Sequence, residues 1–239
     1  MKTFRPCLAE FIGTFYLCFP GIAAILATKG MEPAAALVVI AFAHGLGLTM
    51  AVSNFGGISG AHVNPAVTCG FLVTRRIAPG LAVAYIISQL LGATTAAGIA
   101  RVIFPADVVA AQHLGLPLPA PWASTAVVLL TEFVLTYLLM TSVFGTAVDE
   151  RGRNVKIGGF GIGLTVAFDI LAGGAVTGAS MNPARSFGPA LELMDFQWHW
   201  AYWLAPVAGA CVAALVYEHL LLETAKPAVE EPRALKNSR

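Results

Sequence analysis

The sequence predicts an all-α integral membrane protein, with six transmembrane helices and two re-entrant half-helices arranged as an inverted repeat. Three observations carry that prediction. Of 239 residues, 57% are hydrophobic and only 11% charged, with a mean hydropathy of +0.76, the composition of a chain whose solvent is largely lipid. A spanning helix needs roughly 20 predominantly apolar residues, and six stretches qualify: 7–28, 33–55, 77–100, 121–148, 157–175 and 197–217. Finally, "ISGAHVNPAVTCG", which begins at Ile58, returns 118 residues later as "VTGASMNPARSFG".

The first span follows Lys2 and Arg5, as the core of a secretory signal peptide does. Glu10 inside the run, the length of the run and its recurrence deep in the chain favour a permanent helix: "AEFIGTFYLCF" from Ala9 is matched by "TEFVLTYLLMT" from Thr131, inside the fourth span. Glu10 and Glu132 are thus equivalent carboxylates. The second span carries His44. After it comes the first recurring stretch, where Asn64 precedes Pro65 and Ala66, and the helix it starts, Pro65 to Val73, is too short to cross a bilayer. Asn is a favoured N-cap and Pro suits the first helical position. The same reading applies to Asn182, Pro183 and Ala184, with a half-helix from Pro183 to Leu193 between the fifth and sixth spans.

Each half holds three spans, so the second half runs through the membrane upside down relative to the first. Repeat one covers about 7–104 and repeat two about 121–222, within one domain spanning 1–222; the polar, proline-containing segment 223–239 reads as a disordered tail. In inverted repeats a transport site forms where matching Gly/Pro-interrupted segments meet. Irregular backbone at membrane depth survives only where protein buries it or a watery cavity lines it. Two half-helices entering from opposite faces therefore meet N-terminus to N-terminus in a pore. Their dipoles place partial positive charge there, and the Asn64 and Asn182 amides offer N–H donors to solutes.

Threading the spans in order puts Arg75, Arg76, Arg151, Arg153, Lys156 and both chain ends on one side, against Lys29 and Arg101 on the other. The basic side is expected to be cytoplasmic. Cys7, Cys18, Cys69 and Cys211 fall in or beside apolar runs without paired spacing, as small buried residues do. Gly92, Gly161, Gly163 and Gly209 read as small residues that let helices approach. Asp169, in the fifth span, is expected either to cap the end of its helix or to face the outer vestibule. The sequence shows no catalytic triad, metal-ligand cluster or phosphate-binding glycine loop, and no basic aromatic patch for nucleic acid. It therefore implies no enzyme, cofactor or metal.

"SGAHVNPAVT" and "SGASMNPARSFGP", the latter with Thr177 in place of its first Ser, resemble the signatures of the aquaporin, or major intrinsic protein, family over about residues 7–222. That resemblance implies a right-handed six-helix bundle assembled as a homotetramer in lipid, with one pore per subunit passing water and small neutral solutes. It implies a selectivity filter on the extracellular side made by Arg185, His44, Ile170 and Ala179. It also implies that Glu10 and Glu132 anchor the re-entrant loops. Arg185 has its own rationale, because a guanidinium inside a membrane is costly and repels cations while donating to neutral solutes. Its alternative is an ion pair with Asp169 or Glu192. The foursome is similar to that of certain plant vacuolar aquaporins and is wider and less polar than a filter with His and Cys at the positions of Ile170 and Ala179. His62 reads equally as structural or pore-facing, and His113 as a loop residue in solvent.

Two other function classes remain in view. A glycerol-type facilitator of this family usually has Asp after the filter Arg and a basic residue four positions later. Ser186 and Ala190 stand there, and the aromatic pair Tyr202-Trp203 opens the last span, which favours the water-channel branch. A structural junction protein of the same fold would keep the scaffold without useful conduction; the intact Asn-Pro-Ala motifs and Arg185 count against it. The expected residence is a plasma or bacterial inner membrane, with the vacuolar membrane as the alternative.

Overall fold

A computed structural model describes residues 3–222; the proposed tail at 223–239 lies outside them. Six helices are long and apolar enough to span a bilayer. In chain order the helices are α1 (Phe4–Ala27), α2 (Pro33–Ser59), the half-helix α3 (Pro65–Val73), α4 (Pro79–Ile103), the short α5 (Ala106–Ala111), α6 (Thr125–Val143), α7 (Glu150–Arg153), α8 (Gly158–Thr177), the half-helix α9 (Pro183–Leu193) and α10 (Ala201–Val216). α6 and α10 each continue as a π-helical turn, Phe144–Val148 and Tyr217–Leu221. Both half-helices have the bounds the sequence predicts. The long helices show apolar side chains outward, such as Val83, Leu91, Leu130 and Phe168, as helices facing lipid must.

The internal repeat is visible in the packing. α2 and α8 cross where Gly45 and Gly163 face one another, each lying so near the other's carbonyl that an added Cβ would collide with it. Gly92 of α4 presses on the Phe11 carbonyl of α1, and Gly209 of α10 repeats this on the Phe133 carbonyl of α6. Such contacts let backbones approach where lipid supplies no hydrophobic driving force. Gly161, expected to do the same, has only ordinary contacts with Thr146 and Ile157. α2 and α8 both end on a left-handed glycine, Gly60 at φ 89° and Gly178 at φ 77°. The segments that follow hold Ala61 and Val63, and in the other half Ala179 and Met181, at φ between 44° and 54°. Non-glycine residues in that region cost of order 1–3 kcal/mol each and persist only where their surroundings impose them.

The arginine-rich face is laced together. Arg76 makes a two-pronged ion pair with Glu218, 2.7 and 3.1 Å, and stacks over Phe144. Arg151 grips both oxygens of Asp149 and donates to the Leu221 carbonyl at 2.7 Å, while Tyr217 donates to Asp149 at 3.2 Å. The Arg151 guanidinium holds the Asp149 carboxyl down to about 2. An acid depressed in the folded state stabilises above its ordinary value near 3.9 and loses that stabilisation as pH falls toward the depressed one. Asp149→Asn is therefore expected to unfold at a lower temperature than the parent by the same margin from pH 8 to about pH 5, with the margin closing below about pH 4. Thermal melts in detergent across that range check it. On the opposite face Lys29 pairs with Asp107 at 2.7 Å and Arg101 with Glu192 at 3.4 Å.

Candidate functional site

The two half-helices meet tip to tip, and their asparagines make the joint. Asn64 Oδ1 accepts the Ala66 N–H at 2.8 Å and caps α3; Asn182 Oδ1 accepts the Ala184 and Arg185 N–H groups at 2.9 and 3.3 Å and caps α9. Each then reaches across: Asn64 Nδ2 donates to the Met181 carbonyl and Asn182 Nδ2 to the Val63 carbonyl, both at 2.9 Å. An amide nitrogen has two hydrogens, so each asparagine keeps one N–H for the space it borders. Proline at the first helical position brings no N–H of its own to either tip.

That space is a narrow cavity of about 60 Å³, room for a short file of waters. Asn64, Asn182, His44, Ile170, Ala179 and Arg185 all line it, with apolar walls from Leu48, Leu139, Ile162 and Val166. Pro65, Ala66, Pro183 and Ala184 are buried behind the tips and outside its wall. The structure thus brings together on one lumen the four positions counted from the motifs.

Two of the four, His44 and Arg185, are braced from outside the motifs. His44 Nδ1 donates to the Ile40 carbonyl at 2.9 Å, which leaves Nε2 buried and without a partner. Its ring lies on Gly21 of α1, where a Cβ would strike it. Arg185 Nη1 donates to the carbonyl of Gly115 at 2.6 Å, in the loop before α6. The alternative ion pair is therefore not formed: Glu192 pairs with Arg101, and Asp169 has no partner. Asp169 departs from both expectations made for it. It sits inside α8 rather than at its end, fully buried and outside the lumen wall, because it is one residue away from lumen-facing Ile170 and points elsewhere on the helix.

Below the tips the anchoring is nearly symmetric. Glu10 accepts from Ser59 Oγ at 2.6 Å, the His62 and Val63 N–H groups at 2.9 and 2.6 Å, and Gln89 Nε2 at 2.7 Å. Glu132 accepts from Thr177 Oγ1 at 2.7 Å and the Ser180 and Met181 N–H groups at 2.9 and 2.7 Å. Both carboxylates are fully buried. Tyr85 donates to the Ser59 carbonyl at 2.9 Å, and Tyr202 to the Thr177 carbonyl at 2.6 Å. His62 has both roles weighed for it, since it borders the cavity while its Nδ1 meets Thr68 Oγ1 at 3.2 Å. His113 is exposed. Gly21, Gly115, Gln89 and Tyr85 were missed by sequence reasoning. The recurrence of Tyr85 as Tyr202 was the signal available for one of them; the others have no repeat partner that marks them.

Opposed half-helices lining a lumen inside a spanning bundle define a passive membrane channel. The chain belongs to the major intrinsic protein family: the family model described as "Major intrinsic protein" matches residues 1–217. It is 40% identical to "Probable aquaporin TIP3-2" of Arabidopsis thaliana, over 95% of this chain and 86% of that protein, and 37% identical to "Nodulin-26" of Glycine max, over 95% and 81%. In fold it matches the solved aquaglyceroporin from Plasmodium falciparum with a TM-score of 0.80 at 23% identity, covering 91% of this chain and 96% of that one. The family is one of channels, not of enzymes.

Proposed function

We propose that the protein conducts water, together with ammonia, hydrogen peroxide and urea, while excluding protons and ions. The observation that carries this reading is the pair of N-terminal tips meeting at Asn64 and Asn182 beside the lumen-facing Arg185. Two positive dipole ends and a guanidinium raise the energy of any cation in the file. The remaining amide N–H of each asparagine turns a passing water's oxygen toward the joint, which breaks a continuous donor chain along the file.

The filter role belongs to His44, Ile170, Ala179 and Arg185, and the loop-anchoring role to Glu10 and Glu132. Ile170 removes a hydrogen-bonding group from one wall and Ala179 leaves space on another, so the constriction admits solutes somewhat larger or less polar than water. Glycerol passes poorly, because Ser186 and Ala190 stand where the glycerol branch carries an acid and a base. The apolar exterior seats the chain in lipid and supports assembly as a homotetramer. The excess of Arg and Lys that the sequence threads to one side supports a cytoplasmic place for both termini, in a plasma or bacterial inner membrane, with the vacuolar membrane as the alternative.

Stopped-flow measurements on proteoliposomes test this, with water shrinkage and internal alkalinisation by ammonia read in the same vesicles. The parent is expected to speed both without carrying proton current. Ile170→His with Ala179→Cys is expected to reduce ammonia permeation more than water permeation. Parent vesicles with no ammonia flux above bare lipid would leave a strict water channel, and proton conductance that tracks protein content would overturn the exclusion.

A further inference from the structure

Asp169 is buried with no solvent exposure, and neither of its oxygens has a hydrogen-bond donor. Its neighbour Ile170 faces the lumen, whereas Asp169 lies behind the wall. One turn to either side of it on the same face of α8, Gly173 packs on Thr131 and Leu135 of α6 and Thr165 meets Ser142 of α6 at 2.6 Å, so Asp169 faces the stretch of α6 that carries Glu132. An ionised carboxylate without a donor in that setting is costly, and the like charge of Glu132 makes it more so.

The first half of the chain shows what the second half lacks. Glu10 meets four donors, the fourth being the Gln89 amide of α4, which also donates to Thr68 at 3.0 Å; Glu132 meets three. Tyr85 matches Tyr202, and Gly92 matches Gly209, each by the same contact with the equivalent carbonyl of its own repeat. That register brings Pro206 of α10 to the place of Gln89, and proline has no donor at all. The register of the recurring motif brings Asp169 to the place of Ala51 in α2. One half therefore has an amide on α4 and an alanine on α2; the other has a proline on α10 and a carboxyl on α8.

We propose that Asp169 is a positioning residue of the channel: held un-ionised beside Glu132, its O–H dipole stabilises that anchoring carboxylate as the Gln89 amide stabilises Glu10. The two carboxyls together hold one proton, and the negative charge rests on Glu132, where three donors meet it. Through Glu132 the pair fixes the segment from Gly178 to Met181, and with it Ala179 of the filter and the tip at Asn182. This holds whichever solutes pass.

Infrared spectroscopy of the purified protein, alongside flux measurements, tests it. The parent is expected to show the carbonyl stretch of an un-ionised carboxylic acid, absent from Asp169→Asn and shifted in Glu132→Gln. Asp169→Asn keeps a neutral donor there and is expected to retain the parent's urea-to-water permeability ratio. Asp169→Ala is expected to change that ratio several-fold. Adding Pro206→Gln to Asp169→Ala returns an amide from α10 and is expected to restore the ratio, beyond any effect of Pro206→Gln alone. If Asp169→Asn removes no acid band, or if Asp169→Ala folds and matches the parent in its permeability ratio, the proposal is overturned. Should Asp169→Ala fail to fold, the band in the parent and in Asp169→Asn still decides. A protein that passes no solute leaves the infrared test intact, so failure of the channel reading and failure of this one are distinguishable.

Discussion

Glu132→Leu is expected to lower the unfolding temperature by about 10 °C or more and to abolish water flux. Leucine leaves the Ser180 and Met181 N–H groups and the Thr177 hydroxyl without an acceptor in a site with no solvent exposure. Each orphaned buried donor costs about 1–3 kcal/mol, so the sum is of the order of the whole stability of a typical domain, about 5–15 kcal/mol. For a chain of this size each kcal/mol moves the midpoint by roughly 2–4 °C. The loss falls on the segment that holds Ala179 and Met181 at positive φ, a conformation that relaxes once its anchor is gone. Glu10→Leu is expected to do as much, since it strands the donors of Ser59, His62, Val63 and Gln89. Glu132→Gln, which keeps one acceptor oxygen, should fall between. Thermal melts with flux in liposomes check the series, and variants that melt with the parent and conduct normally would leave the buried acids without this role.

Arg185→Val is expected to have the largest effect on selectivity. The guanidinium is buried, lines the lumen and is braced by the Gly115 carbonyl at 2.6 Å. On the proposed reading its removal takes away the charge that opposes cations and widens the lumen that it lines. A charge-assisted hydrogen bond is worth about 1.5–3 kcal/mol, which corresponds to about tenfold or more in a rate. The urea-to-water and glycerol-to-water permeability ratios should therefore rise by about tenfold or more, with a proton leak appearing as pH-gradient dissipation in loaded vesicles. Tight, urea-excluding vesicles from this variant would move the filter away from Arg185.

The asparagine tips, the bounds of both half-helices and the six spans were legible because local rules decide them. An Asn-Pro pair caps a helix wherever it occurs, a long apolar run is a span, and a motif repeated after an odd number of spans must be inverted. His44, Ile170 and Ala179 were named by the family resemblance, counted without gaps from those motifs, and all three line the lumen.

What the sequence alone could not decide depends on which faces meet across long separations. Gly21 seats the His44 ring and Gly115 braces Arg185, yet both are ordinary glycines in the sequence. Gln89 completes the Glu10 anchor from another helix, 79 positions away. Asp169 shows the limit most clearly. Composition marks it as an acid inside a span, but only the packing of α8 against α6 puts it behind the lumen wall and leaves it without a donor. Capping and hydropathy are properties of neighbours in the chain; the partner of a buried polar group is a property of the assembled bundle, where desolvation makes every unmade hydrogen bond count.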